Sequence, residues 1–155
     1  MATKVIRGIA GLNRTLNSLP KVAQSRIRDA SVAIAADVAQ DAQQRARSGS
    51  RGVTKVARYV APTIRATRDR VPVVRMGGTK KLPTSGSGWT HSRSGPGQTI
   101  GDVMWGAEYG SNRSPQFSPW GGNDESAGYF LWPSVRMDEI EERYAEALVD
   151  ACEDA

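Results

Sequence analysis

One cysteine, Cys152, and one histidine, His91, are present in the whole chain. No internal disulfide can form, and a zinc site of Cys and His ligands cannot be assembled. Aromatic residues make up 6% of the 155 positions, which argues against a large core and suggests that partners contribute to stability. No stretch approaches the roughly 18 to 20 continuous apolar residues that span a bilayer. The first residues also lack the apolar core of a secretory signal, so the chain reads as soluble and unprocessed, with no membrane partner. Its length suits a single domain over residues 1–155.

The groups that chemistry needs are equally scarce. A nucleophile requires a base within hydrogen-bond reach and rigid support, whereas His91 sits between Thr90 and Ser92 in a polar, glycine-rich stretch. Gly77, Gly78, Thr79, Lys80 and Lys81 have the composition of a phosphate loop but not its spacing, since no glycine stands five residues before a Gly-Lys-Ser/Thr triplet. Carboxylates cluster near the end of the chain on what reads as an exposed helix, where they are normally just solvated. The expectation is a non-enzymatic protein without catalytic residues, cofactor or metal.

Charge is plentiful but unevenly placed. Residues 1–136 carry 20 Lys and Arg against 8 Asp and Glu, and residues 137–155 carry 1 against 8. A basic body thus precedes an acidic tail, an asymmetry that points to a charged partner or a charged neighbour in an assembly.

Hydrophobic periodicity predicts the elements. Val5, Ile9, Leu12, Leu16 and Leu19 form one stripe of a helix over about 3–19, with Thr3 as its N-cap. Ser18 and Pro20 open a second helix over about 20–47, with Val22, Ile27, Ala30, Ile34, Val38, Ala42 and Ala46 on one side. Residues 48–52 end it with glycine and serine. Residues 53–60 read either as a short helix or as the approach to a strand. β-Branched residues at about 63–67 and 71–76, separated by Arg68, Asp69 and Arg70, predict an antiparallel hairpin, with Pro72 at an edge. Further strands are expected at about 100–109 and 128–132, with long loops at 77–99 and 110–127. A last helix over about 134–153 carries Met137, Ile140, Tyr144, Leu148 and Ala151 on one face. The expected class is α+β, with two N-terminal helices and a C-terminal helix packed on a small, mainly antiparallel sheet.

Two short segments resemble a known family. Glu108, Tyr109 and Gly110 close one element, and Phe130, Leu131, Trp132 and Pro133 open the last helix. Together with the Ile6, Gly8, Leu12, Leu16 pattern and the alanine-rich second helix, they resemble the small neck or tail-completion proteins of long-tailed bacteriophages. The resemblance implies a structural virion protein at the head–tail junction, made in the host cytoplasm and forming a homo-oligomeric ring of about six copies around non-specifically passing DNA. Its other partners would be head–tail connector and tail tube proteins. A tail terminator or head–tail stopper ring is the alternative within the same class.

On this reading Glu108, Tyr109, Gly110, Phe130 and Trp132 belong to the assembly interface. Charge polarity adds Glu139, Glu142 and Glu146 facing Arg65, Arg68 and Arg70 of a neighbour, and places Lys80, Lys81 and Arg93 on a projecting loop. A rival of another class is a basic, non-specific DNA-binding accessory protein, whose cations would neutralise phosphates without reading bases.

Overall fold

The computed structural model describes residues 9–48, 55–82, 99–113, 117 and 128–153. Helices α1 (Ile9–Ser18) and α2 (Lys21–Ser48) lead to a short α3 (Ala57–Val60) and a 3-10 turn (Ala61–Thr63). Strands β1 (Arg65–Thr67) and β2 (Val73–Arg75) follow, then α4 (Ile100–Tyr109), a second 3-10 turn (Trp132–Ser134) and α5 (Met137–Glu153). Helices dominate and pack on one small antiparallel sheet, so the α+β class expected from the sequence holds.

Helix α2 is the spine because its small residues let neighbours approach closely. Ala23, Ile27, Ser31, Ile34, Ala35, Ala39, Ala42 and Ala46 are its buried positions, recurring every three or four residues. The buried stripe lies one residue away from part of the expected one: Ala23 is interior, whereas Val22 is exposed. Two apolar clusters use this spine. Near the start of α2, Leu16, Ala23 and Ile27 pack with Ala151, Tyr144 and Leu148 of α5. Further along, Ala39, Ala42 and Ala46 pack with Val56, Val60, Ile64, Val103, Ala107 and Phe130. Ser18 does not cap α2 as expected; its hydroxyl donates back to the Thr15 carbonyl at 2.7 Å, closing α1.

The hairpin is shorter than the sequence suggests but has the expected sense, with Arg65 opposite Arg75, Ala66 opposite Val74 and Thr67 opposite Val73. Ala66 and Val74 share one face of the pleat, while Arg65 and Arg75 are exposed on the other. Gln43 of α2 fixes the entrance to β1 by donating its side-chain amide to the Ile64 carbonyl at 2.7 Å.

Two expected strands are not strands. Residues 100–109 form α4, with Ile100, Val103, Ala107 and Glu108 buried at helical spacing. Its β-favouring residues and two glycines mislead, because β propensity is weak against tertiary context. Both glycines serve close approaches: a Cβ on Gly101 would stand 3.1 Å from the Gly78 carbonyl oxygen, and one on Gly106 would press into the Phe117 ring. The start of α4 is capped twice over. Thr99 and Asp102 form a capping box, and the carbonyls of Gly78 and Lys80 accept from the Gly101 and Ile100 N–H groups, each at 2.9 Å. The stretch 128–132 is a turn running into the second 3-10 helix. Thr3, His91, Arg93 and most of both expected loops lie outside the described residues.

Candidate assembly site

Glu108 organises the far end of α4. Its side chain is fully buried, and its carboxylate accepts three backbone N–H groups: Phe130 at 3.1 Å, Leu131 at 2.9 Å and Trp132 at 2.7 Å. Two carboxyl oxygens with several lone pairs suit three converging donors. These N–H groups belong to the start of a 3-10 turn and have no partner within it, so Glu108 acts as a cap supplied from another helix. The turn closes on itself through Ser134, whose N–H donates to Leu131 at 3.0 Å and whose hydroxyl donates to the Phe130 carbonyl at 2.8 Å.

This arrangement sorts the aromatic residues without any strand alternation. Phe130 is driven fully into the core, while Trp132 remains 37% exposed and stands beside Met137, 53% exposed. Between them lies an open groove of about 620 Å³ lined by Trp132, Val135, Arg136, Met137, Asp138 and Glu139. Apolar walls with a charged rim are the usual anatomy of a protein contact surface.

Beneath the groove the second turn rests on α2. A small cavity of about 30 Å³ is lined by residues that include Asp41, Ser134 and Arg136. Burial pushes the Asp41 carboxyl up, but the hydrogen bond from Arg45 at 2.9 Å and the charges of Arg45 and Arg136 act against it, and its pKa lies below the usual 3.8.

The remaining candidates scatter. Tyr109 stacks on Trp105 with ring centroids 5.8 Å apart, and burial together with the Glu108 charge raises its pKa. Gly110 ends α4 at φ +79°, donating its N–H to Gly106. Arg68 is held within the chain by Asp29 at 2.8 Å and by Ser25. The Arg70 carbonyl accepts from Ser31 and Tyr144. Glu139 pairs with Arg136 at 2.9 Å, whereas Glu142 and Glu146 are exposed. Lys80 and Lys81 are exposed beside the α4 cap.

Hence Glu108 and Phe130 are interior groups that shape the surface rather than form it, and Arg68 is exposed but paired within the chain. Sequence reasoning missed Gly128 and Asp41, and took Ser134 as the entrance to the last helix, whereas it closes the second 3-10 turn and α5 starts at Met137. Only Gly128 carried a signal, as the glycine just before the aromatic run. Among the described residues no cluster of His, Cys, Asp and Glu could hold a metal ion. Comparison with protein-family models, curated proteins and solved structures finds no match for this chain.

Proposed function

We propose that the chain is a non-enzymatic structural subunit that assembles into a homo-oligomeric ring, acting as a neck or tail-completion protein at the head–tail junction of a long-tailed phage. What supports this reading is the Glu108 clasp. The two segments that carry the resemblance, Glu108–Tyr109–Gly110 and Phe130–Leu131–Trp132–Pro133, are 20 residues apart in sequence yet joined by three hydrogen bonds. Their joint product is a Trp132 whose backbone is tied by the clasp and whose side chain lines an open groove, and Trp is favoured where subunits meet. In the assembled state, connector and tail tube proteins would contact the ring above and below, with DNA in its lumen.

Light scattering and negative-stain imaging of the purified chain test the proposal. Rings with an axial opening are expected, and a chain that stays monomeric at high concentration would count against it. Trp132→Ala is expected to weaken assembly by about tenfold or more while leaving the helical circular-dichroism signal in place, because interface tryptophans contribute roughly 2 kcal/mol or more. Phe130→Ala should instead destabilise the monomer by about 3 to 5 kcal/mol, as truncation of a fully buried aromatic does.

A further inference from the structure

Three electrostatic features of the surface are unfavourable within the isolated chain. Arg65 and Arg75 are directly opposed across the hairpin, both are exposed, and neither has an acidic partner among the described residues. Like charges at directly opposed positions repel. On α5, Asp138, Glu142, Glu146 and Asp150 are spaced by four, which stacks carboxylates at successive turns of one ridge. All four are exposed, and none has a cationic partner among the described residues. The last turn of α5 carries acid and no base, the reverse of what the helix dipole favours. Asp138 lies in the first turn, where the helix dipole favours it, but the later acids have no such compensation, and Val149, 55% exposed, lies on the same outward face beside Glu142, Glu146 and Glu153.

The two uncompensated surfaces have opposite signs. We propose that the outward face of α5, centred on Glu142, Glu146 and Val149, docks onto the Arg65–Arg75 face of the hairpin in a second copy of this chain. The inference rests on the ring reading and gives that ring a charged contact in addition to the Trp132 groove. Laying the acidic face on its own counterpart would oppose carboxylate to carboxylate, so the acidic face has to meet the hairpin of the other copy, and the ring reading makes that contact head-to-tail. A head-to-tail contact repeats from copy to copy and closes into a ring where its rotation allows. Arg68, already paired with Asp29, and Glu139, already paired with Arg136, lie outside this contact.

Charge reversal tests it. Arg65→Glu with Arg75→Glu, and separately Glu142→Arg with Glu146→Arg, are each expected to weaken self-association by roughly tenfold or more at low salt. All four changes in one chain should restore it to within about threefold of wild type, because the swapped charges again meet. Sedimentation measures the association and circular dichroism checks the fold. If a reversed pair does not fold, Arg65→Gln with Arg75→Gln serves in its place, with a smaller expected loss. If wild-type rings form and either reversed pair forms them equally well, this contact is wrong and the ring reading stands. If the fourfold variant is not rescued, the contact is likewise wrong. If the wild-type chain never assembles, both fall. Weakened binding to duplex DNA with unchanged self-association in the arginine variant would make the hairpin a phosphate-binding face and overturn the proposal.

Discussion

A Cβ on Gly128 would collide with the Glu108 carboxylate and stand 2.9 Å from the Trp132 Cβ, and the residue already sits at φ +102°. Glycine is required there on both counts. Gly128→Ala is therefore expected to cost about 1 to 3 kcal/mol through backbone strain alone, with the displaced carboxylate adding to it. Glu108→Gln keeps the size of the side chain but turns one acceptor oxygen into an amide donor facing backbone N–H groups. Leaving a buried donor unpaired costs roughly 1 to 3 kcal/mol. Urea denaturation of both variants checks this, and an unchanged midpoint for Glu108→Gln would show that the three hydrogen bonds contribute little. Trp132 fluorescence in the folded variants should report greater exposure, since the clasp holds the turn that presents it.

At the scale of elements, α4 exists because its first turn is fully capped. Thr99 accepts from the Asp102 N–H at 3.3 Å while Asp102 accepts from the Thr99 N–H at 2.8 Å. Thr99→Ala should cost about 1 kcal/mol, or some 2 to 4 °C in melting temperature for a chain of this size. The Thr99 backbone and hydroxyl hydrogen bonds hold the Asp102 carboxyl below its ordinary 3.8. A depressed folded-state pKa means that its contribution is present above the unfolded value and is lost as pH falls through the folded one. The melting difference between wild type and Asp102→Asn is therefore expected to be present at neutral pH and to close below pH 3.8. A difference that persists unchanged into strong acid would rule out the carboxylate as its source.

Across the whole molecule, one carbonyl ties the hairpin to both long helices. Arg70 O accepts the Ser31 hydroxyl of α2 at 3.1 Å and the Tyr144 hydroxyl of α5 at 2.6 Å. Because Ser31 remains, Tyr144→Phe should cost only about 0.5 to 1.5 kcal/mol. Burial raises the Tyr144 pKa above its ordinary 10.0. A raised folded-state value means that the stabilisation is complete below pH 10 and is lost as pH rises through the folded pKa. Thermal melts should thus show wild type and Tyr144→Phe converging in the alkaline range, and a constant gap would contradict the assignment. The same carbonyl bridges the region between the two apolar clusters, one built around Leu16, Ile27 and Ala151 and the other around Ile64, Val103 and Phe130. Loosening it should make unfolding less cooperative.

The sequence alone determined α2, α5 and the hairpin as elements, because each has a clear periodicity and turn residues that end it, although the buried face of α2 takes Ala23 in place of Val22 and Met137 of α5 is exposed. At residues 100–109 the β-favouring residues predicted a strand, and the Thr99–Asp102 capping box entered only with the structure. What tertiary structure decided is everything that depends on contacts between segments distant in the chain. Residues 100–109 became helical with Gly78 and Phe117 packed close on Gly101 and Gly106 and with the Lys80 carbonyl accepting from the Ile100 N–H, contacts that a local reading does not see. Residues 128–134 became a turn because Glu108, on another helix, supplies the acceptor that three N–H groups would otherwise find in a sheet. Likewise, composition showed that the body is basic and the tail acidic, but only the fold separated Arg68, paired with Asp29, from Arg65 and Arg75, which no carboxylate among the described residues reaches. Charge is a property of a residue; its pairing is a property of distance, and distance is set by the fold.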